Sequence, residues 1–146
     1  MNLPEQFYKE NSENIFIYHY VEEMIASFSS HMKKNLNEKD ISEAEFPFLI
    51  RIRYNKKTTQ KELVELFKVS EGYTAKLLRK FEDKGYIKRH EDPTNRRIKI
   101  VKLTKKGIEK TDELIKIIEQ WETKVTTDMT QEEVKLLKKL LFKVVE

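Results

Sequence analysis

Apolar side chains return every three or four positions along most of this chain, and that period is helical. Over residues 14–36 they are Ile17, Val21, Met24, Ile25, Phe28, Met32 and Leu36, which predicts one long amphipathic helix. Ser42-Glu43-Ala44-Glu45 matches a capping box, with Ser42 as N-cap and Glu45 reaching back. A second helix should run from there to about Tyr54, with Pro47 forcing a bend or a late start because proline lacks a backbone donor. Thr59-Gln60-Lys61-Glu62 is another capping box, and the short helix behind it sets Leu63, Leu66 and Phe67 on one face. Ser70 can cap the next helix, which runs to about Lys84 with Thr74, Leu77, Leu78 and Phe81 turned inward. Gly85 stands where a helix-ending glycine belongs.

After Gly85 the period changes. Residues 86–90 and 98–103 suit two extended strands, with one irregularity because Ile98, Ile100 and Leu103 do not alternate evenly. The turn cluster Glu91-Asp92-Pro93-Thr94-Asn95-Arg96-Arg97 lies between them. Helical spacing resumes behind Thr104, through Ile108, Thr111, Ile115, Ile118 and Val125, with Leu114, Ile117 and Trp121 widening the stripe. Thr130-Gln131-Glu132-Glu133 is a third capping box and opens a final helix with Val134, Leu137, Leu140, Leu141 and Val144. The expected fold is mainly α with a small β-hairpin, in one domain spanning 1–146.

Composition narrows the chemistry. The chain has 146 residues, no cysteine and three glycines. A disulfide framework, a zinc-thiolate site and a cysteine nucleophile are therefore excluded. Neither phosphate-cradling glycine loop occurs. His19, His31 and His90 show no metal-ligand spacing, and no nucleophile has a base at a meaningful spacing. No cofactor and no enzymatic activity are expected. The longest apolar runs are a few residues, so no membrane span is expected. The N-terminal residues resemble no secretory signal, which makes the cytoplasm the expected location.

The net charge of +4 conceals a division. Residues 56–106 hold 16 Lys/Arg against 7 Asp/Glu, whereas the rest holds 13 against 18. A basic middle on an acidic frame points to a polyanion partner. That middle also carries two short helices about three residues apart, the second opening with small and polar residues, which is helix-turn-helix architecture. On the second helix Glu71, Gly72, Tyr73, Ala75, Lys76, Arg79 and Lys80 face outward. Gly72 and Ala75 permit close approach, Tyr73 and Lys76 come early enough to meet base edges, and Arg79 and Lys80 suit phosphates. Ser70 and Thr74 complete the candidate recognition segment. Arg96 and Arg97 at the hairpin tip, with Lys88, Arg89 and Lys99 on its arms, form a basic wing able to enter a minor groove.

The run S-E-G-Y-T-A-K-L-L-R-K-F-E-D-K-G-Y-I-K-R-H-E-D-P-T-N-R-R-I-K-I-V-K-L-T-K-K-G, Ser70 to Gly107, resembles the MarR family of transcriptional regulators. The marks are L-x-x-x-E-x-K-G-[aromatic/aliphatic]-I, the wing D-P-x-[DN]-x-R and the closing L-T-x-x-G, in that order and spacing. The resemblance implies a winged helix-turn-helix lobe over about 42–106, dimerisation helices over about 8–38 and 107–146, and a homodimer on pseudo-palindromic double-stranded DNA, commonly as a repressor. It places the family's wing arginine on Arg97. The acidic residue that usually braces that arginine is Asn95 here, which supplies no charge-assisted bond and predicts a less rigid wing.

The flanks hold more apolar residues than one small domain needs. Ile17, Phe28, Trp121, Leu137, Leu141 and Val144, with Leu114 and Ile118, are candidates for an isologous interface, although some must fill the subunit's own core. The resemblance also implies a small phenolic or anionic effector bound between frame and lobe, for which Tyr20, Met24, Phe46, Arg51 and Tyr54 are the candidate residues. The competing function is a winged-helix module that binds protein without sequence-specific DNA recognition.

Overall fold

The computed structural model describes residues 7–146. A 3-10 turn over Lys9–Asn14 precedes α1 (Ile17–Asn35), α2 (Phe46–Tyr54), β1 (Thr58–Thr59), α3 (Gln60–Phe67), α4 (Glu71–Asp83), β2 (Ile87–Asp92), β3 (Asn95–Leu103), α5 (Lys105–Val125) and α6 (Gln131–Val145). The mainly helical architecture with a β wing is as the periodicity predicts.

Local chemistry explains most boundaries. Thr59 forms a complete capping box: its hydroxyl accepts from the Glu62 amide and the Glu62 carboxylate accepts from the Thr59 amide. Ser70, Thr104 and Thr130 cap α4, α5 and α6 through the amides of Tyr73, Gly107 and Glu133. The Ser42 box behaves differently. The Ser42 amide donates to Glu45, but this closes a turn, and α2 starts only at Phe46. Pro47 thus falls in the first turn, where its missing donor costs no bond.

The α4 terminus is a complete Schellman motif. The Tyr86 amide donates to the Phe81 carbonyl and the Gly85 amide to that of Glu82, with Gly85 at φ +79°.

The hairpin is longer than the sequence pattern suggests. β2 runs to Asp92 and β3 begins at Asn95, so Pro93 and Thr94 alone form the turn. The ladder is regular from Leu103 to Lys99, so the uneven spacing of Ile100 and Leu103 marks no irregularity there; the register shifts nearer the tip, between Glu91 and Asp92. A third strand, β1, pairs antiparallel with β3, Thr58 opposite Val101, giving the order β1-β3-β2. Two residues are too few to carry a period, which is why the sequence pattern misses it.

The core lies between the end of α1, α2, α3, α4, the sheet and the first half of α5. Leu49, Leu63, Leu78, Phe81, Ile87 and Leu114 are essentially inaccessible. Two junctions bind this lobe to the long helices. Arg53 of α2 donates to Asp112, to Thr111 and to the Ile108 carbonyl on α5. At the other end, Asp40 accepts from Lys84, Tyr86 and Lys110 at 2.7–3.1 Å. Burial alone would raise the Asp40 pKa; the bonds from Lys110, Lys84 and Tyr86 outweigh it and hold the carboxyl far below its ordinary range.

A close backbone approach also lies at that second junction. A Cβ on Gly107 would sit 2.0 Å from the Tyr86 carbonyl oxygen, whereas one on Gly72 would meet nothing within 4 Å. Gly107→Ala should therefore cost about 2–3 kcal/mol or more by overpacking. Gly72→Ala, inside a helix, should gain about 0.5–1 kcal/mol; urea melts of the two variants check both. Asp40 gives a pH signature. Its folded pKa is depressed, so its stabilisation is complete above the ordinary value of 3.8 and is lost as pH falls below it toward the folded value. The stability gap between wild type and Asp40→Asn should stay constant from neutrality down to about pH 5 and narrow by about pH 2.

Candidate nucleic-acid interface

The helix-turn-helix is set by a single left-handed residue. Lys68 ends α3 at φ 51°, ψ 44°; Val69 follows, and Ser70 caps α4. This three-residue turn swings α4 across α3 so that one face packs and the other is free. Thr74, Leu77, Leu78 and Phe81 form the packed face.

Thr74 is therefore not a DNA-contacting residue. It is fully buried, and its hydroxyl donates to the Ser70 carbonyl. The Ser70 side chain is spent on the cap. Gly72, Tyr73, Lys76 and Arg79 remain on the exposed face.

The basic residues divide into two groups. Lys80 is taken up by Glu45, with both carboxylate oxygens within 2.8 Å. Burial would raise the Glu45 pKa; the Lys80 and Ser42 hydrogen bonds reverse the sign. Arg89 is equally committed. Its guanidinium donates to Glu82 near the end of α4 and to the Gln60 carboxamide at the start of α3. The Glu82 carboxyl is lowered chiefly by that bond. Lys99 pairs with Glu91 across the hairpin at 3.0 Å. Lys80, Arg89 and Lys99 thus hold parts of the lobe together and are less free for the phosphate and wing contacts expected of them. Lys76, Arg79, Arg96 and Arg97 are exposed and, among the described residues, have no ion pair within 4.0 Å.

The wing turn is ordered by a residue the sequence pattern did not single out. Asp92 is almost inaccessible; one oxygen accepts from Lys57, the other from the Thr94 amide and hydroxyl. The Lys57 bond, followed by those of Thr94, holds the carboxyl far below its ordinary range. Asn95 accepts from the Arg97 amide at 3.1 Å, so it shapes the backbone beside the arginine without engaging the guanidinium. The D-P-x-x-x-R spacing was the available signal for Asp92, but Lys57, 35 residues away, gave none.

The effector-pocket and interface candidates differ in burial. Phe46 is in the core, Arg51 and Tyr54 are exposed, Met24 is exposed, and the Tyr20 hydroxyl donates to the Ser12 carbonyl. Phe28 and Trp121 pack on each other with ring centroids 5.0 Å apart, and the indole donates to Ser27; both belong to the α1–α5 seam within one subunit. Ile17, Leu137, Leu141 and Val144 remain exposed. Among the described residues no cluster of three His, Asp or Glu converges as a metal site, and no helix is long and apolar enough to cross a membrane.

Comparison with known proteins matches this arrangement. The model of the MarR family matches residues 41–99. The chain is 30% identical over 116 residues to the HTH-type transcriptional regulator BilQ of Clostridium symbiosum, covering 80% of this chain and 81% of that one. It is similar to a crystal structure of MarR at TM-score 0.78 and 29% identity, covering 92% and 91% of the two chains. It is also similar to an E. coli MarR mutant complexed with operator DNA, at TM-score 0.70 and 25% identity, covering 95% and 100%.

The division of cations gives a salt test. In duplex binding titrated with salt, Arg97→Ala and Arg79→Ala should each lessen the log–log slope by up to about 0.9, one phosphate's worth, whereas Lys76→Ala should change preference between sequences more than non-specific affinity. Lys80→Ala and Arg89→Ala should lower thermal stability and leave the slope in place.

Proposed function

The chain belongs to the MarR family of transcriptional regulators, and on that premise we propose that it is a homodimeric repressor that binds a pseudo-palindromic DNA operator. One observation carries the DNA-binding part. The cations on the outer face of α4 and at the wing tip, Lys76, Arg79, Arg96 and Arg97, are left unpaired, while their neighbours Lys80, Arg89 and Lys99 are neutralised by the fold. A surface meant only for solvent or for a protein partner has no need of this partition. A related MarR complexed with operator DNA supports the same partner.

The dimer rests on α6. No residue of α6 is buried, although Leu136, Leu140, Phe142, Val144 and Val145 are half or more exposed. The first half of α1 is similar, with Phe16, Ile17, Tyr18 and Ile25 exposed. A contiguous apolar surface of this kind calls for a partner, and a second copy supplies an equivalent face under two-fold symmetry. Repression then needs no further surface, because a bound dimer excludes other proteins from the same DNA.

Selection of bound duplexes from a random pool tests the operator. Inverted half-sites about 10 base pairs apart centre to centre, or a multiple of that, are expected; a single asymmetric site, or no enrichment, refutes this reading. Leu141→Glu tests the dimer by light scattering. The variant should fall from dimer mass to monomer mass and lose operator affinity, while an unchanged mass would place the interface elsewhere.

A further inference from the structure

We infer that Phe48, on α2 and outside the helix-turn-helix, is a positioning residue that aims Tyr73 at the bases and so helps set sequence preference. The inference rests on the DNA-binding function proposed above and adds a specificity determinant to it.

Three rings form a ladder across the turn between α3 and α4. Phe67, the last residue of α3, stacks on Phe48 with centroids 4.1 Å apart and planes at 28°. Phe48 then meets Tyr73, in the first turn of α4, edge to face at 6.2 Å and 60°. Phe48 is 2% exposed and Tyr73 is 41% exposed, so the ladder is anchored in the core at its middle ring and open to solvent at Tyr73. The backbone beside Tyr73 is already fixed, because its amide donates to the Ser70 cap. The side chain retains rotamer freedom unless something holds it, and Gly72 beside it offers only open space. Phe48 is the ring contact that restrains it.

This arrangement matters because a tyrosine in the first turn of a recognition helix reaches base edges only along certain directions. Ordering it before binding spares the entropy of fixing it in the complex. An edge-to-face contact contributes about 0.5–1.5 kcal/mol, or a factor of about 2–10. Arg79 and the wing arginines carry the phosphate attraction independently of the ladder. Loss of the ladder should therefore reduce discrimination and spare general DNA affinity.

A double-mutant cycle tests this with the full-length protein. The readout is the ratio of affinity for the selected operator to affinity for random duplex. Phe48→Leu should lower that ratio by about two- to tenfold, with random-duplex affinity retained. In a Tyr73→Ala background the same substitution should change the ratio little. Equal losses in both backgrounds would show that Phe48 acts only through general stability and would overturn the inference, as would an unchanged ratio in Phe48→Leu alone. Should Phe48→Leu fail to fold, Phe67→Leu weakens the ladder from its half-buried end and is held to the same two outcomes. A wild-type protein with no preference among duplexes would defeat the proposed function as well, whereas operator preference with additive losses would defeat the positioning role alone.

Discussion

The contact on which the rest depends is the approach of the α5 backbone to the strand that leaves the recognition helix. Gly107 lies so close to the Tyr86 carbonyl that no other residue fits without a shift. That carbonyl accepts from the Thr104 amide, the Thr104 hydroxyl donates to the Gly85 carbonyl, and the same hydroxyl caps α5. Three events in the chain are therefore fastened at one place: α4 ends, the wing begins and the frame helix starts. Asp40 adds the α1–α2 connection to the same junction through Lys84, Tyr86 and Lys110. This knot and the Arg53 junction on α2 together fix the angle of α4 relative to the frame.

The charge distribution follows from how the helices and wing are held. A basic surplus in the middle of a sequence cannot all face DNA, since the same segment must pack against itself. Lys80, Lys84 and Arg89 sit where α4 and β2 meet neighbouring elements, and each finds a carboxylate there. Partly exposed pairs of this kind contribute modest stability. Their larger effect is to fix orientation and to concentrate the remaining positive field on the outer face of α4 and the wing tip. Lys57 and Asp92 do the same for the wing turn, which is ordered from its base by this pair in place of an acidic brace at position 95.

The long helices show the opposite economy. The second half of α1 and the middle of α5 spend their apolar residues on each other, through Phe28, Met32, Leu114 and Trp121. The first half of α1 and all of α6 bury almost nothing within the subunit. A 15-residue helix with an unburied apolar face is marginal by itself, which is the physical ground for the dimer proposed above.

Sequence alone determined what depends on neighbours a few residues away. Helical periods, the caps at Thr59, Ser70, Thr104 and Thr130, the left-handed glycine at 85 and the basic hairpin all follow from interactions within one turn or one strand pair. The motif spacing from Ser70 to Gly107 added the family, because a helix, a wing and a frame helix must meet at fixed intervals. What required tertiary structure is the allegiance of each side chain. Lys80, Arg89 and Lys99 look outward in the sequence, yet each is paired within the fold: Lys80 with Glu45 35 residues away, Arg89 with Gln60 and Glu82, and Lys99 with Glu91 opposite it. Phe28 and Trp121 look like interface and form a seam within the subunit, because α1 and α5 cross where those rings lie. Periodicity reports which face of an element is apolar or charged; only the crossing of elements far apart in sequence decides what covers that face.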